Sequence, residues 1–109
     1  MDGGACTPEQ LETLLEDAFM LQDHQALAQL FHPAAILVAG WGLPEARGHQ
    51  QIAHVAAQLW ASNGLYVADP RRILRVRDTA LVLADRAIHV IQRAHDGSWC
   101  YLISLLDPW

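Results

Sequence analysis

The chain has 109 residues, 52% of them apolar, and a formal net charge of −5 with arginine as its only cation. That length gives one domain around one core, spanning residues 1–109, and the composition excludes a disordered segment. An acidic domain matches the phosphate backbone of nucleic acid poorly, since that ligand calls for a basic surface, and no apolar run reaches the roughly eighteen residues of a membrane helix.

The opening MDGGACTPEQ has no basic region followed by an apolar one, so a cytoplasmic location is expected, with residues 1–6 a mobile tail. Thr7-Pro8-Glu9-Gln10 predicts a helix start: Thr7 caps, Pro8 suits the first helical position and Gln10 completes a capping box. Leu11, Leu14, Leu15, Ala18, Phe19 and Leu21 follow at helical spacing as one buried stripe. Asp23 caps a second helix with Leu27, Leu30 and Phe31 on its apolar side. Pro33 ends it, because proline lacks a donor and biases His32 away from helical angles.

Ala35–Trp41 is apolar apart from Gly40 and predicts a strand covered on both faces. The loop 42–48 carries Pro44 and two glycines, and Ile52, Val55, Ala56 and Leu59 then mark a third helix, from Gly48 to about Ser62. The rest reads as extended. Leu65–Arg77 is one candidate strand, bent at Asp69-Pro70. Thr79–His95 is one long strand or two short ones. Asp96-Gly97 suits a two-residue hairpin turn, with Ser98–Asp107 as the return strand.

Helix, helix, strand, helix and antiparallel strands in this order resemble the nuclear-transport-factor-2-like (NTF2-like) superfamily, the cystatin-like α+β cone, and within it the SnoaL-like members. The residues that carry the resemblance are Asp23 with Ala28-x-Leu30-Phe31, Ala35–Val38, Gly48 before Ile52, and Asp96-Gly97-x-Trp99. It implies an α+β cone in which N-terminal helices pack on a curved antiparallel or mixed sheet around a pocket. Members include polyketide cyclases, ketosteroid isomerases, epoxide hydrolases, dehydratases and non-catalytic binding domains, so the resemblance implies a pocket and not a reaction. The acid that ketosteroid isomerases carry near the end of the first strand is missing: Val38, Ala39 and Gly40 stand there. The tyrosine of their first helix falls near Ala18. An isomerase of that design is not expected.

A two-residue turn at Asp96-Gly97 would pair Ala94 with Trp99, Gln92 with Tyr101, Val90 with Ile103, Ile88 with Leu105 and Arg86 with Asp107, all on one sheet face. That aromatic face is expected to be the concave one. Arg86 opposite Asp107 is then the sharpest catalytic candidate: the arginine would keep Asp107 ionised, and Asp107 would orient or deprotonate a water. Read structurally, the pair is a cross-strand ion pair contributing on the order of 0.2–1 kcal/mol. Tyr101 and Gln92 would donate to a substrate carbonyl or hydroxyl. Trp41, Tyr66, Trp99 and His54 would line the pocket or its mouth, although aromatic residues more often serve the core.

The opposite face, with His89 beside Ser104, is expected to be convex and to pack on a second subunit, as domains of the resembled family commonly do. That pair is read as a hydrogen-bonded interface contact, since no acid partner is evident. His49 and His54 lie five apart, without the spacing of a helical zinc site, so no metal and no cofactor is expected. Cys6 and Cys100 are expected as free thiols. Arg71, Arg72, Arg75 and Arg77 read as a solvated, charge-guarded strand edge.

Three functions follow from these residues. One is a SnoaL-like acid/base enzyme acting on a small, mainly apolar molecule without cofactor. The others are a ligand-binding or dimerisation module on the same fold and, ranked last, an adaptor using the Arg71–Arg77 strand.

Overall fold

Thr7 sets the first helix. In the computed structural model, which describes residues 5–40, 44–61 and 70–106, its hydroxyl accepts from the Gln10 amide at 3.0 Å, and the Gln10 side-chain oxygen accepts from the Cys6 amide at 2.7 Å. This starts helix α1 (Pro8–Leu21) as expected. Gln22 closes it in the left-handed region at φ 53°. Asp23 caps α2 (His24–Gln29), accepting from the Ala26 amide at 3.0 Å.

Helix α2 stops short of Pro33, and strand β1 (Phe31–Val38) begins before the proline, earlier than the expected Ala35. Pairing with the last strand lapses between Phe31 and Ile36. Pro33 sits in that lapse, where its missing N–H costs no ladder bond. A two-residue strand β2 (Ala46–Arg47) and helix α3 (Gly48–Ala61) follow. Gly48 joins them at φ +80°, a conformation that side chains resist.

Strands β3 (Pro70–Val76), β4 (Thr79–Ala84), β5 (Ala87–Arg93) and β6 (Trp99–Leu106) complete the chain, so the segment from Thr79 forms two strands. The six strands make one open sheet in the order β2-β1-β6-β5-β4-β3. It is mixed, because β1 runs parallel to β6 while the other neighbours are antiparallel. The helices cover one face. Leu11, Leu15 and Phe19 of α1, Leu27 of α2 and Ile52 of α3 join Phe31, Leu37, Val82, Ile91 and Tyr101 of the sheet in a single apolar core.

The β5–β6 hairpin departs from the expected register in two places. Its loop has three residues, with the Ala94 amide donating to the Ser98 carbonyl at 2.8 Å and the Gly97 amide to the Ala94 carbonyl at 2.9 Å. Gly97, at φ +87°, supplies the left-handed residue such a loop requires. Arg93 therefore pairs with Trp99, Gln92 with Cys100 and Ile91 with Tyr101. A bulge between Val90 and Ile91 then leaves Leu102 as the extra residue, and the expected pairs Val90–Ile103 and Ile88–Leu105 resume beyond it.

These two shifts reassign the faces. Along β5 the buried residues are Ala87, His89 and Ile91, and along β6 they are Trp99, Tyr101 and Ser104. Trp99 and Tyr101 thus turn inward as expected. Gln92, Val90, Ile88, Ile103 and Leu105, expected beside them, face outward.

Candidate functional site

Beneath α1, four polar side chains meet inside the apolar core. Glu12 is 1% exposed, and His89, Ser104 and Tyr101 are each 0% exposed. The Tyr101 hydroxyl donates to Glu12 Oε2, and its oxygen lies 3.4 Å from the Leu11 carbonyl. His89 Nε2 stands 3.6 Å from the same Glu12 oxygen, and His89 Nδ1 lies 2.7 Å from Ser104 Oγ. The rings of His89 and Tyr101 pack with centroids 4.6 Å apart, and Phe31 covers Tyr101 at 5.1 Å.

Each member arrives by a local feature of the sequence. Glu12 lies on the buried stripe of α1, flanked by Leu11 and Leu15. His89 follows from simple alternation along β5. Tyr101 and Ser104 are three apart on β6, a spacing that an even strand would send to opposite faces. The bulge at Leu102 brings both to the inner face. Bulges recur beside active sites because they re-aim a side chain in this way.

Burial sets the protonation of the imidazole. Desolvation pushes His89 down from 6.5 to about 3, so it is neutral at physiological pH. A neutral imidazole carries one N–H. The Glu12 oxygen facing Nε2 favours the proton there, which leaves Nδ1 to accept from the Ser104 hydroxyl. The set can therefore hold or pass a proton between Glu12 and His89, with Tyr101 as a further donor.

Of the residues singled out in the sequence as lining a site, Tyr101 alone belongs to this cluster, joined by His89 and Ser104, which were read as an interface pair. Trp99 is 2% exposed, and the guanidinium carbons of Arg75 and Arg93 sit 5.0 and 5.6 Å from its ring centroid. It is walled in by these side chains and by Ala5, whose carbonyl accepts from the Trp99 amide at 2.9 Å. Gln92 does not face Tyr101; the three-residue loop turns it outward, where it lines a groove of about 730 Å³ with His32, Asp78, Arg93, His95 and Cys100. His54 is exposed on α3 and Arg86 is exposed between β4 and β5. Trp41, Tyr66 and Asp107 lie outside the described residues.

His89 beside Ser104 is a hydrogen-bonded pair as read, but it is buried under α1 and not on an outer interface. It does have an acid partner. Glu12 was legible as an anomaly, because a glutamate on a buried helical stripe is rare unless paired. Among the described residues no group of three or more His, Cys, Asp or Glu side chains is placed to hold a metal ion.

No protein-family model and no curated protein matches the sequence. Solved structures do match its fold. A candidate calcium/calmodulin-dependent protein kinase type II association domain from Thiobacillus denitrificans superposes with a TM-score of 0.81 at 15% identity, covering 99% of each chain. A ketosteroid isomerase-like protein from Erwinia carotovora atroseptica gives 0.74 at 18% identity over 89% of each chain. An NTF2-like protein with a cystatin-like fold from Novosphingobium aromaticivorans gives 0.71 at 17% identity over 89% of this chain and 76% of that one. With helices on one face of an open mixed sheet, and these structures superposing along most of its length, the chain has the NTF2-like, cystatin-like α+β fold.

Proposed function

We propose that this is a SnoaL-like protein that binds a small, mainly apolar carbonyl compound and moves a proton on it by acid/base chemistry without a cofactor. The observation that carries the reading is the Glu12–His89–Ser104–Tyr101 cluster, fully enclosed in apolar surroundings. Burying polar groups costs free energy even when they are paired. Convergent titratable groups with a shifted histidine are the usual mark of a working site. In this reading Glu12 accepts the proton next to the carbonyl, Tyr101 and His89 donate to its oxygen, and Ser104 holds the imidazole in place from its other nitrogen. The isomerase-like name of one structural neighbour is in keeping with such proton shifts.

The test is deuterium incorporation alpha to the carbonyl of a small apolar ketone in D2O, followed by NMR. Exchange above the uncatalysed rate is expected. Glu12→Gln should lower it by about 10²–10⁴-fold, the usual range for one acid/base group. A folded wild-type chain with no exchange on a panel of such ketones rejects the reading.

A homodimer through the outer sheet face accompanies this proposal. Leu74 is 43% exposed, Val76 74% and Ile103 39%, on the face that the helices leave bare. Large exposed apolar side chains on one face mark interaction surfaces.

A further inference from the structure

The groove at the hairpin end of the sheet is separate from the buried cluster. Its lining comes from His32 of β1, Cys100 of β6, Gln92 and Arg93 of β5, Asp78 in the turn before β4 and His95 in the hairpin loop. At about 730 Å³ it has the volume of a small-molecule site. His32, Gln92, Arg93 and Cys100 are half-buried. The hydrogen bonds around the groove leave an excess of donors. His32 Nδ1 accepts from the Ala34 amide at 3.0 Å, which puts the ring proton on Nε2 and makes that nitrogen a donor. Arg93 Nε and one terminal nitrogen both donate to Asp78 Oδ1. Its other terminal nitrogen and the Gln92 side-chain amide have no partner among the described residues. The carboxylates nearby are engaged: Asp78 Oδ1 takes both bonds from Arg93, and Asp96 Oδ1 takes the Ser98 amide and hydroxyl. Burial, and after it the charge of Asp96, push the Cys100 thiol up, so it stays protonated and adds no negative charge to the groove.

We propose that this groove binds the oxyanion of a small acid, a carboxylate or a phosphate, through Arg93, the His32 Nε2–H and the Gln92 amide. Hydrogen bonds from a charged donor to an oxyanion are about twice as strong as neutral ones, and the planar arginine fork matches both groups. Asp78 offsets the charge of Arg93 but leaves its remaining donors in place. Recognition therefore depends on directed hydrogen bonds and not on net charge alone. The site does not rest on the acid/base reading and stands whether or not the buried cluster exchanges a ketone.

Cys100 reports on the groove, and Cys6, an exposed thiol away from its lining, is the internal reference. Alkylation by uncharged iodoacetamide, followed at each cysteine by mass spectrometry, is measured in succinate, inorganic phosphate, succinamide, and sodium chloride of equal ionic strength. Succinate or phosphate at roughly ten times its dissociation constant should slow Cys100 by a factor of about ten, by mass action. Cys6 should not change, and the acid that protects better identifies the ligand class. Succinamide and chloride should have no effect. Gln92→Glu sets a carboxylate of the same size among the donors and should abolish the protection. A Cys100 rate that neither acid changes overturns the proposal. So does protection that succinamide or chloride reproduces, or that survives Gln92→Glu. Protection that grows with protein concentration in the absence of either acid also overturns it, because a second copy of the chain then covers the groove.

Discussion

Each face of the same sheet carries a few side chains at odds with its surroundings. The inner face, closed to water, carries His89, Ser104 and Tyr101 against Glu12; the outer face, open to water, carries Leu74, Val76 and Ile103. Stability alone would favour the opposite placement. The inner face therefore holds polar groups at a cost, which is what a chemical site requires. The outer face exposes apolar groups at a cost, which a partner would relieve.

The largest effect expected from disturbing this contrast lies inside. His89→Leu removes one partner of Glu12 and of Ser104 while roughly keeping volume. Urea denaturation should show a loss of about 1–3 kcal/mol, as for other buried polar groups left without a partner. The double variant with Glu12→Leu should recover part of that loss, because no uncompensated carboxylate remains. Additive losses would show that the two side chains do not interact.

Next comes pH. The folded-state pKa of His89, about 3, lies below its ordinary 6.5. Between these values the unfolded chain binds a proton that the native chain does not. The His89 contribution is therefore intact above pH 6.5 and is lost as pH falls toward 3, at up to about 1.4 kcal/mol per pH unit. His89→Gln should flatten that part of the stability profile. An unchanged slope would mean that the imidazole is protonated in the native state.

The turn between the faces should matter less. Gly97→Ala meets no atom within 4 Å but must hold φ +87°, so a loss of about 1–2 kcal/mol is expected in thermal unfolding. A neutral result would mean that the loop relaxes to another turn. Smallest in stability is the outer face: Val76→Glu should change unfolding free energy by about 0.5 kcal/mol or less. It should nevertheless weaken self-association in sedimentation by tenfold or more. A wild-type chain that sediments as a monomer at high concentration removes the proposed interface.

Much of the architecture was legible in local chemistry. Thr7 and Asp23 announced their helices because a side-chain cap acts within three residues. Leu11, Leu15 and Phe19 announced the buried stripe through helical spacing. The site was less legible. Asp96-Gly97 looked like a two-residue turn, and one extra loop residue sent Gln92 outward and His89 inward. Leu102 gave no sign of its bulge, because leucine suits either register.

What the chain determines by itself is the order of its helices and strands, since capping, periodicity and turn chemistry act between near neighbours. What only the tertiary structure decided is which face of the β5–β6 hairpin lies under α1. Glu12 and Tyr101 are 89 positions apart. Their meeting depends on a strand register in which a single-residue slip moves every side chain to the opposite side.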